Sequence, residues 1–295
     1  MTAKESDYAR RVADVECGRF LPGTSIEVIR EPTGRSEYSH AIFDFDGTLS
    51  LLREGWPSVM APMMVEELLK TPNCEPEDQL RIHIDDLISR TTGKQTIYQM
   101  MDFCEEIRSR GGEPHAPAFY KKMYLDLLME RIKGRLDGVR GGSIEPEEML
   151  VPGTYELLEG LKEHGVRMYL ASGTDEHSVR EEARLLGIAR YFGEHIYGAI
   201  EDYQNYSKAH VIEKILVEND VPGSRLLGFG DGYVEIDNTR SAGGTAVGVA
   251  TDECSRSGKP DSFKRDRLIG VGADIIVPDF SEAQALISYL FGEMQ

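Results

Sequence analysis

Apolar positions recur in two rhythms along this chain, and the change from one to the other divides it. Ser25–Arg30 alternates with period two and predicts a strand. Glu31-Pro32-Thr33-Gly34 follows as a turn and the chain re-enters at Tyr38, so a hairpin leading into the next strand is expected. That next strand is the apolar run Ala41-Ile42-Phe43. From Leu51 to about Leu150, apolar residues instead fall at three-to-four spacing, which predicts helices over Val59–Lys70, Glu77–Ser89, Lys94–Arg110 and Ala118–Leu136. Breaks lie at Thr71-Pro72-Asn73, Thr91-Thr92-Gly93, Gly111–Pro114 and Gly138–Gly142. After Val151-Pro152-Gly153 the two rhythms alternate. Helices are expected at Thr154–His164, Ser178–Leu186, Lys208–Glu218 and Ser281–Phe291, and strands at Val166–Ala171, Arg225–Phe229, Thr245–Ala250 and Asp274–Val277, with a short apolar piece at Ile196-Tyr197. The first 24 residues are polar and mixed, with a short helix over Tyr8–Glu16.

Short strands alternating with helices of about ten residues predict an α/β fold built on a doubly wound parallel sheet. Residues 1–49 and 151–295 would form that core, with 1–38 as an extension, and 50–150 a helical domain inserted into it. Ligands bind such sheets at the carboxyl ends of the strands, so the chemistry is sought there.

Composition narrows the partners. With 51 acidic against 33 basic residues the net charge is −18, which repels nucleic acid phosphates and anionic lipid heads. A bound phosphate would need a local positive site. No apolar run approaches the roughly 18 residues that cross a bilayer, and no apolar signal core follows Met1. The four cysteines, scattered and without a Cys-x-x-Cys, suit reduced thiols. A cytoplasmic location with no membrane partner is expected.

The strand at Ala41 runs into Asp44-Phe45-Asp46-Gly47-Thr48. In extended chain, alternate side chains share a face, so Asp44 and Asp46 would point the same way. Carboxylates this close repel unless a positive charge joins them, and a hard cation such as Mg²⁺ is the usual answer. Gly47 permits a sharp exit over such a site. The next strand ends in Ser172-Gly173-Thr174, a hydroxyl with glycine-flanked N–H groups that suits a phosphate oxygen. Lys208 opens a helix after Tyr206-Ser207, against the preference of the macrodipole. The strand Leu226–Gly230 ends in Asp231, with Glu235 and Asp237 close behind. Other signals fail on spacing. Gly228-x-Gly230-x-Gly232 lacks the Gly-x-Gly-x-x-Gly of dinucleotide sites, there is no P-loop and no His-Glu-x-x-His, and Asp44-x-Asp46 does not continue as a calcium loop.

These residues, in this order, resemble the haloacid dehalogenase-like hydrolase superfamily. Asp44-Phe45-Asp46-Gly47-Thr48 resembles its first motif, Ser172 its second, Lys208 its third, and Gly230-Asp231-x-x-x-Glu235 its fourth. The four helices between the first two motifs are similar to the inserted α-helical cap of the phosphatase and phosphomutase branch. The resemblance implies a Rossmann-like core and Mg²⁺-dependent hydrolysis of a small phosphorylated metabolite. Asp44 would attack phosphorus to give an aspartyl-phosphate and Asp46 would shuttle the proton. Mg²⁺ would be held by Asp44, Asp231 and the Asp46 carbonyl, with Glu235 as a further acid of the metal site. Ser172, Gly173, Lys208 and Gly47 would bind the phosphoryl group. Two departures stand out: Glu235 occupies a position often held by aspartate, leaving Asp237 as its alternative, and Ala209 replaces a common proline. A sugar phosphomutase would use the same aspartates, and a non-catalytic phosphometabolite sensor would use the same fold. In the insert, Arg53, Trp56, Thr92, Lys94 and Gln95 are candidate substrate contacts. Trp56 can equally be a packing anchor, Thr92 a helix N-cap and Lys94 a solvated charge.

Overall fold

The computed structural model describes residues 18–32, 34–200 and 206–293. The helix expected over Tyr8–Glu16 lies outside them. Eight strands form one sheet: β1 (Arg19–Phe20), β2 (Glu27–Val28), β3 (His40–Phe43), β4 (Arg167–Asp175), β5 (Ile196–Ala199), β6 (Leu226–Gly230), β7 (Thr245–Val249) and β8 (Ile275–Val277). Their order is β1-β2-β8-β7-β6-β3-β4-β5, and every pairing from β8 to β5 is parallel. Helices cover the sheet, so its central strands are apolar on both faces, as in β3 and β6, all of whose residues are buried. Phe43 stacks on Phe229 with ring centroids 4.6 Å apart.

The expected hairpin into β3 does not form. β2 pairs antiparallel with β1 and β8 instead, because both edges of β3 are taken by β4 and β6. The extension therefore covers the open edge of β8 and buries Ile26 and Val28 there. The strand expected over Ser25–Arg30 also shortens to Glu27–Val28, since the N–H groups of Ile29 and Arg30 both turn to the Asp274 carbonyl.

Between β3 and β4 run α1 (Pro57–Leu68), α2 (Glu77–Thr91), α3 (Thr96–Ser109) and α4 (Pro117–Gly141). Pro57 and Pro117 open α1 and α4 where a missing N–H costs nothing. The break expected at Gly138–Gly142 falls at its far end: α4 continues through Gly138, onto which Ile144 folds so closely that a Cβ there would stand 2.5 Å from its Cδ1. The helix stops at Gly142 in the left-handed region.

The remaining helices are α5 (Thr154–Glu163), α6 (Glu176–Leu185), α7 (Ala189–Phe192), α8 (Lys208–Asn219), α9 (Tyr233–Ser241), α10 (Ser262–Val271) and α11 (Ala283–Leu290). Periodicity did not predict α9 or α10. Both are polar over much of their surface, and tertiary packing of a few buried residues such as Ile236 and Leu268 holds them. The chain order reverses at β3, which lies between β4 on one side and β6 on the other. That is the switch point where loops leave in opposite directions and open a crevice.

Candidate active site

The crevice is built at the carboxyl ends of β3, β4 and β6 and is walled by residues of the helical segment between β3 and β4. β3 ends at Phe43, so Asp44 and Asp46 stand in the loop beyond it rather than in the strand. They nevertheless line one cleft, because the loop wraps on the Phe45 carbonyl, which accepts the N–H groups of Thr48, Leu49 and Ser50. Gly47 makes the turn with φ of 75°, and its missing side chain leaves room for Asp231, whose Oδ2 would be 2.4 Å from a Cβ there. Thr48 Oγ1 accepts the Asp231 N–H at 3.0 Å and ties the ends of β3 and β6 together.

β4 continues to Asp175, past the expected end at Ala171, and carries Ser172, Gly173 and Thr174 into the cleft within the strand. Thr174 Oγ1 donates to Asp46 Oδ2 at 2.8 Å and Ser172 Oγ reaches the same oxygen at 3.4 Å. Lys208 opens α8, whose cap is the Ser207 side chain. Its Nζ lies 2.8 Å from Asp44 Oδ1 and also contacts Glu235 Oε1. The cation at this helix start is thus explained by two buried carboxylates.

Asp44, Asp46, Ser172, Gly173, Lys208 and Asp231 all line the cleft. Glu235 and Gly47 stand just behind it: Glu235 touches Lys208, and Gly47 backs onto Asp231. Asp237, two residues on in the same helix, points to a different side and does not line the cleft. From the insert, Arg53, Trp56, Thr92 and Lys94 reach the cleft, joined by Thr96, Gln99 and Tyr124. Gln95 does not; its Nε2 donates to the Tyr206 carbonyl at 2.7 Å and ties the loop before α3 to the segment that leads into α8. Thr92 closes α2 at its carboxyl end rather than capping a helix start, with Oγ1 donating to the Ile88 carbonyl. The loop between α2 and α3 presses on β4 so closely that a Cβ on Gly173 would lie 2.7 Å from the Lys94 carbonyl oxygen.

Residues 38–243 match the sequence pattern of the haloacid dehalogenase-like hydrolases. The chain belongs to this family. Solved structures with the same fold include a predicted phosphoglycolate phosphatase from Haemophilus somnus, with a TM-score of 0.56 and 16% identity over 85% of this chain and 98% of that one. A β-phosphoglucomutase from Clostridium difficile matches with a TM-score of 0.56 and 14% identity, over 87% and 98%. CbbY from Rhodobacter sphaeroides, in complex with phosphate, matches with a TM-score of 0.51 and 19% identity, over 83% and 96%. Among curated proteins, none matches the sequence significantly. Among the described residues of this family member, no helix is long and apolar enough to cross a membrane.

The electrostatics of the cleft come from burial. Asp44 has its carboxyl pushed up to about 6, chiefly by desolvation; Lys208 opposes this, and Asp231 and Asp46 add to it. Desolvation also raises Asp46, against the Arg53 charge and the Thr174 hydrogen bond. Arg53 lies 3.8 Å from Asp46 Oδ1 and is held by Glu182 of α6, 2.6 Å from its Nη2 and also bonded to its Nε. Asp46 Oδ1 and Glu235 Oε2 are buried without a hydrogen bond.

Besides Thr96, Gln99 and Tyr124, the sequence did not point to Thr174, Glu182, Glu253 or Lys264. Thr174 was within the quoted Ser172-Gly173-Thr174 and could have been singled out as a second hydroxyl. Glu182 sits 129 positions from Arg53 and gave no local signal. Glu253 and Lys264 flank Asp231, with Lys264 Nζ 2.8 Å from its Oδ2 and 2.5 Å from Glu253 Oε1. They too belong to no motif.

Proposed function

We propose that this chain hydrolyses a small phosphate monoester with Mg²⁺, through an aspartyl-phosphate on Asp44, under a cap formed by residues 50–150. The observation that carries the reading is the setting of Asp44. Its Oδ1 accepts both the Phe45 N–H and the Lys208 ammonium, each at 2.8 Å, which fixes the carboxylate in the cleft and leaves Oδ2 for the attack. In the first step Oδ2 forms a bond to phosphorus as the bond to the leaving oxygen breaks, and Asp46 gives that oxygen its proton. In the second step water attacks phosphorus, Asp46 takes the water's proton, and the bond to Asp44 breaks to release phosphate. Burial that raises the Asp46 carboxyl helps it hold a proton for the first step. Thr174 and Ser172 orient it. The Ser172 hydroxyl, the Gly173 backbone and Lys208 line the cleft where the phosphoryl oxygens would lie.

The donor set fits a divalent cation. Among the described residues, Asp44, Asp46, Asp231, Glu235, Glu253 and Glu182 pair with Lys208, Arg53 and Lys264, an excess of negative charge that a cation would balance. Among the described residues no three acidic, His or Cys side chains form a ligand set. As the family resemblance implies, the ion would rest on Asp44, Asp231 and the backbone carbonyl of Asp46, with Glu235 contributing charge from behind Lys208. When bound, Mg²⁺ would neutralise charge between nucleophile and phosphoryl group.

Phosphate release from sugar phosphates, nucleotides and phosphorylated acids, with and without Mg²⁺, tests the reading. Asp44→Asn should abolish turnover of an aryl phosphate, and undiminished activity would refute the nucleophile. Isomerised sugar phosphate without free phosphate would instead show a mutase. No turnover of any kind with tight metabolite binding would show a sensor.

A further inference from the structure

Lys264 is placed where a lysine gains nothing from local structure. It is the third residue of α10, in the first turn, where the macrodipole disfavours a cation. Its backbone N–H is fixed by the Asp261 side chain at 2.8 Å. Its ammonium lies between Asp231 Oδ2 at 2.8 Å and Glu253 Oε1 at 2.5 Å, and a Cβ on Gly47 would meet both carboxylates, at 2.4 and 3.0 Å. Both acids thus lie against the loop that carries Asp44 and Asp46.

We propose that Lys264 is a built-in counter-cation that shares Asp231 with the metal ion, and that Glu253 sets how strongly it competes. This rests on the reading of Asp231 as a metal ligand. An ammonium on Asp231 Oδ2 opposes a cation arriving at the same carboxylate, while Glu253 draws that ammonium away and offsets its charge. Removing the two charges should therefore act in opposite directions. Lys264→Met leaves Asp231 and Glu253 bare and strengthens metal binding, whereas Glu253→Gln leaves Lys264 wholly on Asp231 and weakens it. A charge this close to a divalent ion corresponds to changes on the order of tenfold. A merely structural pair would give weaker binding in both variants.

The test is titration of Mn²⁺ into the ion-free protein, with free Mn²⁺ read by its electron paramagnetic resonance signal. Affinity should fall in the order Lys264→Met, wild type, Glu253→Gln. If Lys264→Met does not fold with Glu253 stranded, the double variant Lys264→Met/Glu253→Gln takes its place and should bind more tightly than Glu253→Gln alone. Loss of binding in Asp231→Asn, together with unchanged or uniformly weakened binding in the Lys264 and Glu253 variants, would overturn the inference alone. Wild-type affinity in Asp231→Asn would overturn the metal-site reading and the inference with it.

Discussion

Replacing Asp44 by asparagine is expected to end turnover and at the same time to strengthen the ion-free fold. Asp44 is buried at the end of β3, and its carboxyl, ordinarily near 3.8, is pushed up to about 6 by burial despite Lys208. A carboxyl that holds its proton more tightly when folded favours the fold while it is protonated, and that advantage is lost as pH rises. Below about pH 4 folded and unfolded chains are both protonated; between 4 and 6 the unfolded chain ionises first; above 6 the folded chain carries a charge it holds poorly. At about 1.4 kcal/mol per pH unit, ionised Asp44 weakens the protein by on the order of 3 kcal/mol at pH 7.5. Asparagine matches the shape, can still accept the Phe45 N–H, and leaves Lys208 with Glu235. A gain of about 2 kcal/mol, or about 5 °C in Tm, is expected. Urea unfolding with chelator present, from pH 4.5 to 8, should show the gain near its full size at 7.5 and shrinking toward acid. A variant less stable than wild type at pH 7.5, or a gain that ignores pH, would refute the reasoning. Saturating Mg²⁺ should reverse the order, because wild type alone gains full binding energy.

Other perturbations separate roles within the site. Arg53→Met strands the buried Glu182 carboxylate and should cost about 3–5 kcal/mol in urea unfolding, most of it recovered in Arg53→Met/Glu182→Leu; a single variant within about 1 kcal/mol of wild type would make Arg53 a substrate contact only. Gly47→Ala places a Cβ 2.4 Å from Asp231 Oδ2 on a backbone with φ of 75°, so turnover and Mn²⁺ affinity should both fall at least about tenfold while circular dichroism is unchanged. Thr174→Val removes the 2.8 Å donor that favours ionised Asp46. The Asp46 carboxyl should rise further, so the loss of kcat at alkaline pH moves up by about half to one pH unit. A downward move would contradict the general-acid role.

Local patterning determined a good part of this protein before any coordinate. Period-two and three-to-four spacing located β3, the four helices between β3 and β4 and the alternation of helix and strand that follows, because burying an apolar face imposes those periods directly on neighbouring residues. The ordered residues Asp44, Asp46, Ser172, Lys208 and Asp231 could be read because each sits just beyond a strand, in its carboxyl-terminal half or at the start of a helix, where backbone geometry carries the side chain toward a shared edge. Tertiary structure alone decided what those residues touch. The hairpin of the extension went to β8 because the edges of β3 were already filled, a fact about the assembled sheet that no local segment contains. α9 and α10 form by packing rather than by period. Thr174, Glu182, Glu253 and Lys264 carry no motif. Their importance lies in hydrogen bonds and ion pairs made across the fold, whose strength depends on burial that only the folded chain creates.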